Sequence, residues 1–238
     1  MRKSAIYILG IMILIGALAV AWYLASPLFI NRTVDEAFPI EVPAPDQLEE
    51  MSADELQELE TEFFEAIPPA EEIAQMPDPE REELEDKAMQ IATAMPEKEM
   101  DEPMPTVAPQ PTTTAAPEPT AEIPSKPELV LKGNFYGADD FHQGSGKALI
   151  YQTPDGGQFL RLEDFEVTNG PALHVILGVD DNPYNHDTLG DYLDLGELKG
   201  NIGDQNYAIP NGTDLSEFGS VVIYCVPFRA IFAIAPIR

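Results

Sequence analysis

The chain has 238 residues, a formal net charge of −29, 23 prolines and a single cysteine. An acidic chain of this kind repels nucleic-acid phosphates, which argues against DNA or RNA as a partner. One cysteine excludes an internal disulfide framework and any complete dithiol cycle. The charge is uneven, because 27 acidic and 4 basic residues fall within 33–128. That tract is poor in the residues a core requires, so globular structure is expected mainly after it.

Arg2 and Lys3 precede a span, Ala5 to Leu24, that carries no charge and is almost wholly apolar. About 20 such residues suffice to cross a hydrocarbon core of ~30 Å as a helix. Trp22 and Tyr23 sit near its far end, where amphipathic rings favour the membrane interface, and Pro27 follows as a helix stop. Residues 1–31 therefore read as a signal-anchor transmembrane helix, with the lipid bilayer as partner of residues 5–24. The positive pair puts the N-terminus in the cytoplasm and the rest of the chain outside the cell membrane. A cleaved secretory signal is the alternative, since Ala17-Leu18-Ala19 has the small-x-small form, and it leads to the same compartment.

Residues 32–95 form an acidic segment in which two short helices are expected. Ser52 and Glu55 have capping-box spacing, with a helix running to Ala66 before Pro68-Pro69. Asp78-Pro79 suggests a second start, with Asp78 as cap, and a run to Met95 before Pro96. Leu48, Met51 and Leu59 recur 25 positions later as Ile73, Met76 and Leu84, which indicates a duplicated helical unit. The narrow apolar stripe suits either an αα-hairpin or, more simply, marginal solvated helices acting as a stalk. Residues 96–128 are rich in proline and threonine and read as an extended tether with a reach of up to roughly 100 Å.

From Leu129 short β-prone runs alternate with turn clusters such as Pro154-Asp155-Gly156-Gly157 and Asn169-Gly170-Pro171. Strands are predicted at 129–136, 148–152, 158–162, 172–179, 192–198, 206–209, 221–226 and 230–234. The expected fold is all-β, an antiparallel β-sandwich over residues 129–238, preceded by the membrane helix and the stalk. Val221 to Val226 is apolar on both faces and should lie centrally, with Val221, Ile223 and Cys225 on one side.

An ordered series of motifs runs through this domain. It includes Gly133-x-Phe135, His142-x-x-Ser145-Gly146-x-Ala148, Gly170-Pro171-x-Leu173, Leu198-Lys199-Gly200 and Val221-Val222-Ile223-Tyr224-Cys225-x-x-Phe228. Over about residues 130–237 the series resembles the DM-thirteen domain. The resemblance implies a β-rich fold and a part in extracellular electron transfer, with a redox role for the cysteine that maps onto Cys225. Tyr224 stands where that family often has tryptophan. No cytochrome-like domain accompanies it here, so a redox partner would be a separate protein.

Cys225 is the one candidate catalytic residue. Its reactivity would need access and a stabilised thiolate, for which Arg229 is the nearest cation in sequence; a small buried hydrophobe is the plainer reading. Asp180, Asp181 and Asp187 concentrate oxygen atoms in one loop and are weak metal candidates, although an ordinary Asp/Asn turn explains them. His142, His174 and His186 lack ligand spacing, and no cofactor is expected. Hydrolase and phosphate-loop signatures are absent, so an ordinary enzyme is not indicated. Two function classes remain: an electron-transfer accessory module, or a non-catalytic surface-binding module displayed on a stalk.

Overall fold

The computed structural model describes residues 42–105 and 126–238. Residues 5–24, read above as a membrane helix, lie outside them. Among the described residues no helix is long and apolar enough to cross a membrane.

Four helices open the described chain: α1 (Pro45–Leu48), α2 (Ala53–Ala66), α3 (Ala70–Ile73) and α4 (Asp78–Ala94). Ser52 caps α2 as expected. Its hydroxyl accepts from Glu55 N at 3.4 Å, and the Glu55 carboxylate accepts from Ser52 N at 2.9 Å. At α4 the cap is Pro77, not Asp78, because the Pro77 carbonyl already receives the first intrahelical bond, from Arg81 N at 3.1 Å. The 25-residue repeat is larger than two helices. α1 and α2 begin at 45 and 53, α3 and α4 at 70 and 78, so each unit is a short helix plus a long one. Four-residue helices carry no periodicity of their own, which is why only the long members were predicted.

These helices are not a solvated spacer. Leu48, Leu56, Phe63, Ile73, Leu84, Ala88, Ile91 and Ala92 are all buried, and both α1 and α2 pack on α4. Burial of such a stripe supplies the tertiary stabilisation that short isolated helices lack. Residues 40–238 belong to one compact unit, so the helical segment and the β domain are parts of the same body.

The β domain contains β2 (Glu128–Asn134), β3 (Tyr136–Gly137), β4 (Gly144–Gln152), β5 (Gln158–Val167), β6 (Leu173–Gly178), β7 (Tyr192–Glu197), β8 (Ile202–Ile209), β9 (Ser220–Cys225) and β10 (Ala230–Pro236). A short helix, α5 (His186–Leu189), lies between β6 and β7. All eight predicted strands are present, several of them longer than expected. The predicted strand 129–136 is broken at Phe135 into β2 and β3, which join different sheets, and one further strand was not foreseen at all. β1 (Glu99–Asp101) lies inside the tract read as a tether and pairs in parallel with β8, the one parallel ladder among the described strand pairs. Side chains hold it there. Arg161, 6% exposed, donates to the Glu102 carbonyl at 2.8 Å, and Lys199 Nζ lies 2.9 Å from both Glu102 carboxylate oxygens.

Two five-stranded sheets result, ordered β1-β8-β5-β4-β2 and β3-β10-β9-β6-β7. The chain passes from the first to the second at Phe135, between β2 and β3. Glycines permit the close approach of the sheets at this side: a Cβ on Gly133 would lie 2.3 Å from the Pro236 carbonyl oxygen, and one on Gly144 would lie 2.4 Å from Ala233 Cβ. Lys132 and Arg238 exchange two backbone hydrogen bonds, of 3.2 and 3.1 Å, across the same corner. β9 is central in its sheet, between β10 and β6, as its two-sided apolarity required.

Candidate functional site

Every residue of β9 is buried, but its two faces meet different surroundings. Ile223 pairs with Ala233, the residue that abuts Gly144 of the other sheet. Alternation along the strand therefore sends Val221, Ile223 and Cys225 into the space between the sheets. Cys225 ends this row, paired with Leu173, at the end of the domain where Leu173 and Asn169 meet Ala92 and Met95 from the helices. The Asn169 side-chain amide donates to the Met95 carbonyl at 3.1 Å.

The thiol is 1% exposed. Burial pushes it up to about 12, against the lowering effect of the Phe228 N–H, and the negative charge of Glu85 on α4 adds to the rise. Glu85 is itself pushed up by burial, opposed by His142 and Arg81. At neutral pH Cys225 is thus a protonated thiol in an apolar, anionic setting, the reverse of what activates a cysteine nucleophile. Arg229, expected beside it, acts instead on Tyr224. The reason is the tight turn after β9, where Arg229 adopts φ 54°.

The opposite face of β9 carries Val222 and Tyr224, packed with Ile176, Leu189, Ile231 and Ile234. α5 covers it. Asn185 caps this helix, its side chain accepting from Thr188 N at 3.0 Å, and Leu189 anchors it to the sheet. The cap orients His186 so that its Nδ1 lies 2.7 Å from the Tyr224 hydroxyl. Tyr192 of edge strand β7 packs on Tyr224 with ring centroids 5.8 Å apart. Burial, first, and then Tyr192 and Cys225 raise the Tyr224 phenol, with Arg229 opposing. In the tautomer of His186 that carries its proton on Nε2, the phenol donates and Nδ1 accepts.

The remaining candidates do not converge. Asp180 accepts from Asn182 N at 2.8 Å in an ordinary Asx turn, and its carbonyl accepts from Ser220 Oγ at 2.7 Å. Asp181 and Asp187 are exposed. His142 bonds Asp139 at 2.7 Å and His174 bonds Asp194 at 2.8 Å. Among the described residues no three His, Cys, Asp or Glu side chains gather to hold a metal ion.

The fold and site define a two-sheet β domain with a masked thiol at the end of its central strand and a helical segment packed over that end. Residues 135–237 match the family model described as electron transfer DM13, so the β domain is a DM13 domain. The four helices, β1 and β2 lie outside the matched residues. No curated protein and no solved structure gave a match. Sequence reasoning missed the His186–Tyr224–Tyr192 cluster, whose members come from three separate elements; strand alternation alone would have separated Tyr224 from Cys225.

Proposed function

We propose that this protein is an electron-transfer accessory module, anchored in the membrane by residues 5–24 with its β domain outside the cytoplasm, and that Cys225 is a redox residue held in reserve. The supporting observation is the DM13 match over a domain whose central strand ends in the chain's single cysteine. A protonated thiol beneath the helices reacts only when that end of the domain opens, which restricts its chemistry to a partner that displaces the helices. That partner is a separate redox or cell-surface protein, because one cysteine provides no internal resolving thiol.

The test is thiol labelling of the full-length protein, followed by Cys225→Ser in cells. The redox reading expects labelling to rise when the helical segment is loosened, and an electron-transfer defect in the serine variant. A thiol that stays silent under those conditions, with no defect on substitution, makes Cys225 a packing residue. The observed burial would then favour the second reading, a non-catalytic surface-binding module.

A further inference from the structure

The pair Tyr224–His186 has the elements of a one-electron site on the side of β9 away from the cysteine. A phenol loses an electron readily only if its proton leaves with it, so a tyrosine that cycles needs a base in hydrogen-bond contact. Tyr224 is 1% exposed, so water cannot serve, and its hydroxyl meets the imidazole Nδ1 of His186 at 2.7 Å. His186 is half-buried in a loop that also carries the exposed Asp187, so an imidazolium formed there is solvated and flanked by negative charge. Tyr192, 40% exposed, packs against Tyr224 and links the buried ring to the surface.

A second buried phenol provides an internal contrast. The Tyr207 hydroxyl donates to the Gln205 side-chain oxygen at 2.7 Å and accepts from Lys199 N at 3.0 Å. An amide oxygen is too weak a base to keep a proton. Tyr207 therefore has the burial of Tyr224 without its proton acceptor.

We infer that Tyr224 is a reversible one-electron redox residue, with His186 as its proton acceptor and Tyr192 as the contact through which electrons reach the surface. An external one-electron oxidant, of the class of high-potential metal complexes, removes one electron from the phenol. The O–H bond breaks, the proton crosses to His186 Nδ1, and a neutral tyrosyl radical faces an imidazolium. A returning electron draws the proton back and restores both groups. The cellular use of this step rests on the electron-transfer reading above; the chemistry itself does not.

The test uses detergent-solubilised full-length protein and photogenerated tris(bipyridine)ruthenium(III) as oxidant, with the radical followed by electron paramagnetic resonance. The expected result is a tyrosyl radical with hyperfine coupling to a histidine nitrogen. Y224F should lose it, whereas Y207F and C225S should keep it. H186Q, which retains a polar side chain but no base, should form the radical more slowly and without the solvent deuterium isotope effect of the native protein. A full signal in Y224F, or an unchanged rate and isotope effect in H186Q, overturns the proposal. Histidine coupling is read on the unmodified protein, so its absence overturns the proposal even if Y224F fails to fold. A cellular defect in C225S alongside a silent Tyr224 would sink the tyrosine site while leaving the cysteine reading intact.

Discussion

Cys225 and Tyr224 are neighbours in sequence and both are almost fully buried, yet the two sides of their strand prepare them for different chemistry. The inner side buries the thiol, so that it stays protonated and closed off, and the negative charge of Glu85 adds to that effect. The outer side gives the phenol a base at hydrogen-bond distance and a second aromatic ring toward solvent. Burial by itself does not decide whether a group can react; what decides is whether the surroundings accept the proton that reaction releases.

That contrast can be broken from the inner side most forcefully. Phe63→Ala, which empties a fully buried position on α2, is expected to cost about 3–5 kcal/mol. It should also speed alkylation of Cys225. A loss of stability measured by chemical denaturation with no change in alkylation would separate the helices from the thiol. Cys225→Ser places a hydroxyl where a weakly polar sulfur was and should cost about 1–3 kcal/mol, with Cys225→Ala less harmful. Equal stability of the serine variant would mean that the inner side is wetter than its burial implies.

Alkaline titration sharpens the same comparison. Cys225 and Tyr207 are both pushed up to about 12, chiefly by burial. In the unfolded chain these groups lose their protons near pH ~8.5 and ~10. Between those values and pH 12 the folded state holds protons that the unfolded state has released, so stability should fall as pH rises through that window. A flat thermal-stability profile from pH 8 to 11 would contradict the burial of both groups.

The outer side should respond less. Tyr224→Phe removes one hydrogen bond, and half-buried His186 can turn to water, so the loss should be about 1 kcal/mol. Smallest of all is Glu102→Gln at the β1 clamp, where both partners are about one-third exposed and solvent screening leaves under ~1 kcal/mol. Burial opposes ionisation of Glu102, but its bonds to Lys199 and Asn206 outweigh that and hold the carboxyl below its ordinary value. Its contribution is present above the ordinary glutamate range and fades as pH drops through the folded value. A variant whose acid unfolding matches the native protein would show that the clamp adds nothing measurable.

Much of this arrangement could be read from residue order. Alternating apolar positions and turn residues located eight of the nine strands of the β domain, all but the two-residue β3, and the apolar run at 221–226 identified the central one. The capping box at Ser52 fixed the start of α2. The failures share a cause, which is that they depend on contacts distant in sequence. β1 has no strand pattern of its own and forms because Arg161 and Lys199, some 60 and 100 residues later, receive Glu102. The helices looked marginal because a narrow stripe reveals nothing about the surface that will cover it. At the candidate site Cys225 was visible, but the action of Arg229 on Tyr224 and the approach of His186 to Tyr224 come from a turn and a capped loop that only the folded chain defines.

β1 and β2 occupy opposite margins of one sheet, so the proline-rich tract between them starts and finishes on the same body. Four inter-strand spacings separate its two attachment points, roughly 20 Å. Whatever path residues 106–125 follow, their contour length does not set the distance between the helical segment and the β domain.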